Sequence, residues 1–152
     1  MIDRFSPESF PAAFERALRL SPFARRLAAA RPGLAEALAA NGAAPLARAD
    51  LEAALAGVPA GDGAALAVAM RELRARTMLT LIVRDLAGLA SLDEVVSTVT
   101  ALAEVTIGAA AATAHAEQAA LHGEPARGER LLVVGMGKLG GGELNVSSDV
   151  DL

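Results

Sequence analysis

Cysteine, tryptophan and tyrosine are absent from this 152-residue chain, aromatic side chains make up 3% of it, and lysine occurs once against thirteen arginines. Without cysteine there is no disulfide scaffold and no thiolate metal site, a usage that fits the cytoplasm. Few aromatic platforms leave little for base stacking. A net charge of −4 and a pI near 5.2 lack the basic footprint of a general nucleic-acid binder, so no nucleic-acid partner is expected. The two histidines, His115 and His122, have no second ligand at useful spacing and read as surface helix residues, so zinc is not expected.

Long apolar runs are missing as well, despite 53% apolar content and a mean hydropathy of +0.39. Thr80–Val83 is cut by Arg84-Asp85, and the run from Val105 to Ala114 is short and mostly alanine, against the roughly 20 residues a span needs. No membrane segment is therefore expected. Met1–Pro7 carries Asp3 and no apolar core, which does not fit a secretory leader.

What the chain has in abundance is helix-forming residues divided by turn signals. Glycine and proline at Arg31-Pro32-Gly33, Asn41 to Pro45, Gly57 to Gly61 and Gly123 to Pro125 separate segments rich in Ala, Leu, Arg and Glu. These predict short helices near 10–20, 22–30, 34–41 and 46–56, then two long ones near 62–90 and 92–121. Ser91 and Glu94 have capping-box spacing at the start of the last helix, and Gly123 suits its stop. Leu66, Met70 and Leu73 on one long helix, and Val95, Val99 and Leu102 on the other, form apolar stripes suited to an antiparallel pair. Arg71, Arg74 and Arg76 read either as a guanidinium cluster for an anion or as a solvated helix face. Arg84 and Asp85, inside an apolar stretch, suggest a buried or half-buried ion pair.

The last eighteen residues are of another kind. Arg130 to Gly135 is a short apolar, β-branched run that predicts a buried strand. Five of the eight residues from Gly135 to Gly142 are glycine, so the backbone can take positive φ and approach a ligand closely. Successive N–H groups in such a loop can converge on anionic oxygens, and Lys138, the single lysine, adds a point charge. Ser147 to Leu152 then alternates with period two, which predicts a second strand with Asp149 and Asp151 on one side and Val150 and Leu152 turned to the core. Carboxylates about 6–7 Å apart, from a rise of about 3.3 Å per residue, can share hard cations such as Mg²⁺ in a phosphoryl displacement. Two other readings remain for the same residues. Gly135-Met136-Gly137-Lys138-Leu139-Gly140 fits a dinucleotide fingerprint, although Gly141-Gly142, Asn145 and Ser147-Ser148 are poor material for the helix it requires. The two aspartates can also simply flank a polar turn. A P-loop is excluded, because Leu139 follows Lys138 and Leu132 stands where the first glycine belongs.

The run from Gly135 to Leu152 resembles the motif G-x-G-K-L-G-G-x-E-L-N-x-x-S-D-x-D-L of the bifunctional glutamine synthetase adenylyltransferase and adenylyl-removing enzymes, of the polymerase β-like nucleotidyltransferase superfamily. Arg71 to Arg76, Arg84 to Leu89 and Ser91 to Glu94 are similar to that family's arginine-rich helix and R-D-L-x-G-L turn. The resemblance implies a mainly α fold: a helical region over 1–128, then over 129–152 the first two strands of a truncated α/β nucleotidyltransferase domain. It implies that Asp149 and Asp151 are the catalytic, Mg²⁺-binding pair, and that Gly137, Lys138, Gly140, Gly141 and Ser148 surround the phosphates. Glu143 and Asn145 match family positions without an assigned role. The family's proteins are much longer and hold two such domains, and this chain resembles the start of the adenylyl-removing half. The implied reaction is phosphorolysis of the AMP–tyrosine bond on adenylylated glutamine synthetase, giving ADP, with the full protein also adenylylating that tyrosine from ATP. The implied partners are glutamine synthetase, the PII signal protein, phosphate and ADP or ATP. The superfamily's third carboxylate lies beyond Leu152, so the fragment alone is expected to be inactive. The alternative from another class is a helical docking module for glutamine synthetase or PII with no catalysis of its own.

Overall fold

The computed structural model describes residues 10–41, 44–127, 129 and 131–152. The stretch read for a leader, and Arg130 at the head of the first expected strand, lie outside them. The described residues form α1 (Phe10–Leu20), α2 (Pro22–Ala30), α3 (Pro32–Asn41), α4 (Arg48–Leu55), α5 (Gly63–Leu86), α6 (Leu92–His122) and the single turn α7 (Gly137–Gly140). The fold is thus mainly α, as the composition implied.

The chain divides into two compact units, one of residues 1–45 and 75–94, the other of residues 46–74 and 95–152. In the first, α1, α2 and α3 are separated by single residues, Ser21 and Arg31. The Ser21 hydroxyl accepts the Ala24 N–H at 3.1 Å, and Pro22 sits where a missing N–H costs nothing. The same logic moves the start of α3 from the expected residue 34 to Pro32, because proline at the first position opens a helix. Phe14, Ala17, Ala24 and Ala28 bury themselves against Leu79 and Val83 of α5, with Phe10, Leu27, Leu38 and Leu86 packed around them.

The stop of α5 is set by Gly88 at φ +71°, earlier than the residue 90 that the composition suggested. Leu89 N–H donates to the Arg84 carbonyl at 2.8 Å and Gly88 N–H to the Asp85 carbonyl at 2.9 Å, the pairing of a Schellman motif. Arg84, 7% exposed, then ties this turn to the next helix. Its Nε and Nη2 donate to the two Glu94 carboxylate oxygens at 2.6 and 2.9 Å, and Nη2 also reaches the Leu89 carbonyl at 3.0 Å. The expected ion pair is therefore real for Arg84. Asp85 is exposed, the next position on a helix being turned about 100° away from Arg84. Ser91 accepts the Glu94 N–H at 3.1 Å, as capping predicts. The Glu94 carboxylate, however, serves the arginine, whose hydrogen bonds hold it below the ordinary carboxylate range against the opposing effect of burial.

In the second unit the buried side chains include Leu51, Leu55, Leu66, Leu73, Val95, Val99 and Leu102, so the stripes read from the sequence are inside except at Met70, which is half-buried. Gly63 N–H at the start of α5 donates to Glu117 Oε1 at 3.0 Å near the end of α6, which fits antiparallel neighbours. Arg48 pairs with Glu104 across from α4 to α6. Arg71, Arg74 and Arg76 are exposed, in agreement with a solvated face. Helix α6 runs 31 residues and is, by length and composition, long and apolar enough to cross a membrane. The apolar character extends beyond Val105 to Ala114, through Val95, Val99 and Leu102 on one side and the alanines to Ala120 on the other.

Candidate functional site

No strand forms among the described residues, so the two expected strands are the point at which structure and sequence differ. Leu131, Leu132, Val133 and Val134 are 73, 82, 42 and 64% exposed, and Val150 and Leu152 are exposed instead of turned to a core. Periodicity marks which residues could face a core, but a strand exists only when its N–H and C=O groups are paired along its length. Here, among the described residues, the pairing between the two segments is one bond, Met136 N–H to the Asp151 carbonyl at 2.9 Å.

That single bond nonetheless closes the base of the glycine-rich segment. Gly135 to Gly142 folds into the one-turn α7 with Gly137 at φ +52° and Gly142 at φ +69°, both in the region open to glycine. Gly140 is needed for a second reason: a Cβ there would stand 2.4 Å from the Gly135 carbonyl oxygen. Gly140 N–H bonds to the Met136 carbonyl, Gly141 to Gly137, Gly142 to Leu139 and Glu143 to Lys138, at 3.1, 3.0, 3.1 and 2.7 Å. Three of the loop amides expected to face an anion, those of Gly140, Gly141 and Gly142, are thus used inside the turn. Lys138 and the aspartates Asp149 and Asp151 are exposed.

The turn and the second aspartate are brought together. Asp151 Oδ2 lies 3.7 Å from the position a Gly137 Cβ would take, so the missing side chain leaves the carboxylate against the backbone. Beyond Leu144 a second small turn precedes Asp149. Asn145 Oδ1 accepts both the N–H and the hydroxyl of Ser147 at 3.0 Å, Ser148 Oγ accepts the Asn145 N–H at 3.1 Å, and Ser148 N–H closes on the Asn145 carbonyl. Asn145 therefore braces the approach to the aspartates, and Ser148 shares in that brace. Glu143 is exposed, with its Cδ 3.7 Å from the Cβ position of Gly141.

Two buried residues, which the sequence did not single out, hold the segment in place. Leu139 is 7% and Leu144 1% exposed, and the Leu144 N–H donates to Thr100 Oγ1 of α6 at 3.3 Å. A bond between residues 44 apart leaves no local pattern in the sequence. Beside it lies an open cleft of about 450 Å³ bounded by Arg48, Thr98, Thr100, Glu104 and Gly142. No group of three or more His, Cys, Asp or Glu side chains able to hold a metal exists among the described residues. Two exposed carboxylates are hard oxygen donors suited to Mg²⁺, which keeps water and substrate oxygens in its remaining positions.

The terminal segment is thus a glycine turn with one carboxylate, that of Asp151, set against its backbone. Comparison with known proteins supplies the class: residues 12–152 match the family model of glutamate-ammonia ligase adenylyltransferase. The chain belongs to that family. It is 51% identical over 144 residues to the bifunctional glutamine synthetase adenylyltransferase/adenylyl-removing enzyme of Burkholderia mallei, covering 89% of this chain and 16% of that protein. The protein of the same name from Thioalkalivibrio sulfidiphilus is 44% identical over 158 residues, 99% of this chain and 16% of its own length. That from Bordetella pertussis is 54% identical over 88 residues, 55% of this chain and 9% of its own. The chain thus spans about a sixth of the first two of these relatives. No solved structure matches it.

Proposed function

We propose that this chain is the leading part of an enzyme that removes AMP from a tyrosine of adenylylated glutamine synthetase by phosphorolysis, within a longer protein that also adenylylates that tyrosine from ATP. In the reaction a phosphate oxygen forms a bond to the adenylyl phosphorus, the bond from phosphorus to the tyrosine oxygen breaks, and that oxygen takes a proton, leaving ADP and the unmodified tyrosine. The observation that carries the reading is the closure of the Gly135–Gly142 turn onto Asp151 in a chain of this family.

The residues divide the work by their chemistry. Asp149 and Asp151 would hold Mg²⁺, and the ion would supply charge neutralisation for phosphoryl oxygens. Lys138 supplies a mobile positive charge to the incoming phosphate. Gly137, Gly140 and Gly141 let the nucleotide's phosphates approach the backbone, and Ser148 with Asn145 keeps the aspartates in register. In the longer protein the segments 131–135 and 147–152 pair as the first strands of a polymerase β-like sheet, which covers Leu131, Leu132, Val150 and Leu152. A third carboxylate from that sheet completes the site. The reaction belongs to the cytoplasm, with the PII signal protein as regulatory partner.

The test uses the full-length protein containing this chain. With phosphate and Mg²⁺ it is expected to release ADP from adenylylated glutamine synthetase, and Asp149→Asn with Asp151→Asn is expected to lower that rate by more than about a hundredfold, as loss of transition-state charge stabilisation does. Full activity in the double variant would remove the metal assignment. Binding of glutamine synthetase without any AMP removal by the unaltered protein would leave a docking module instead.

A further inference from the structure

We propose that Thr100 is a positioning residue for this site: its hydroxyl, through the Leu144 amide, fixes the glycine turn and the aspartates onto α6. The proposal rests on the phosphate-handling role given above to Lys138, Asp149 and Asp151.

Among the described residues, the other hydrogen bonds of 136–152 stay within that segment. The bond from Leu144 N–H to Thr100 Oγ1 is the exception, and it is buried. Leu144 is also the joint of the segment. Before it, Glu143 N–H closes the glycine turn on Lys138, and after it Asn145 begins the turn that leads to Asp149. Its neighbours Glu143 and Asn145 are exposed, whereas Leu144 is 1% exposed and so is held by both side chain and amide. From this joint the remaining bonds run to the chemistry: the turn sets Gly137, and Met136 N–H on the Asp151 carbonyl sets the second aspartate beside it. A displacement at Leu144 therefore moves Lys138 and Asp151 together.

Thr100 is 7% exposed and lies between the apolar positions Val99 and Leu102 of α6, where an aliphatic side chain would serve packing equally well. A hydroxyl there is accounted for by the amide it receives, since a buried N–H left without an acceptor is costly. Thr100 and Gly142 line the open cleft beside the bond, so the contact lies at the edge of the packed interior and not at its centre. Removal of the hydroxyl is therefore expected to loosen the segment while the helices persist.

The experiment compares Thr100→Val and Thr100→Ser in the full-length protein, by hydrogen exchange of peptides spanning 136–148 and by titration with Mn²⁺ alone. Thr100→Val is expected to speed exchange at Leu144 and weaken Mn²⁺ binding, each by about tenfold, the value of one hydrogen bond, with exchange in α6 unchanged. Its kcat for AMP removal should fall by a similar factor with KM for glutamine synthetase unaltered, and Thr100→Ser should restore all three. Unchanged exchange at Leu144 in Thr100→Val, or equal loosening in Thr100→Ser, would overturn the proposal. The Asp149→Asn, Asp151→Asn double variant separates the two readings. If it keeps Mn²⁺ binding, the site assignment fails, and Leu144 exchange alone decides the role of Thr100.

Discussion

At the scale of single residues, the glycines of the terminal segment are not interchangeable. Gly137 and Gly142 are required by positive φ, whereas Gly140 is required by the 2.4 Å that would separate its Cβ from a backbone oxygen. A backbone atom cannot swing aside as the end of a long side chain can. Gly140→Ala should therefore open α7, cost the local turn about 1–3 kcal/mol, and lower AMP removal by the full-length protein at least tenfold while helical circular dichroism stays constant. Unchanged activity would show that the turn can reshape. The need for glycine here was legible in the sequence, because five glycines in eight positions has few other causes. The hydroxyl of Thr100 was not legible. Nothing within several residues of it distinguishes a threonine that receives a distant amide from the buried Thr77 and Thr80, whose hydroxyls have no partner.

At the scale of elements, most of the helices were readable because a residue with a local mechanism bounds them: Ser21 and Ser91 as caps, Pro22 and Pro32 as first residues, Gly88 and Gly123 at left-handed stops. The strands were not, because a strand's existence is decided by a partner and only its facing by periodicity. The turn between α5 and α6 combines both kinds of information, since Gly88 ends one helix and Arg84 clamps the start of the next through Glu94. Glu94 is held below its usual value of 4.5 mainly by the hydrogen bond from Arg84. A carboxylate with a lowered folded-state value contributes stability that is present above 4.5 and fades as pH falls through the lowered value. Glu94→Gln should accordingly lower the urea midpoint at pH 7, with a loss of about 1–3 kcal/mol for the charged hydrogen bonds, and the gap to the unaltered chain should narrow by pH 3. Arg84→Ala should cost more, about 2–4 kcal/mol, because it removes the charged hydrogen bonds together with the packing of a buried side chain and leaves the half-buried Glu94 carboxylate without its guanidinium. A gap independent of pH would show that the pair contributes by packing alone.

At the scale of the whole chain, the apolar residues from Leu131 to Val134, with Met136, Val146, Val150 and Leu152, stand exposed around the candidate site. Contiguous exposed apolar surface promotes association. The 152-residue chain is expected to self-associate in light scattering, and Leu131→Lys with Leu132→Lys to shift it toward monomer. A monomer before substitution would mean that these residues find cover within the chain.

The first unit carries a consequence for synthesis. Its three N-terminal helices follow one another with single-residue joints, yet the wall they lean on, Leu79 and Val83, is encoded some forty residues after α3 ends. A nascent chain leaves the ribosome N-terminus first. Until that later stretch emerges, Phe10, Phe14 and Leu27 have only the neighbouring helices of α1 to α3 to lean on, so the unit's core closes late in synthesis.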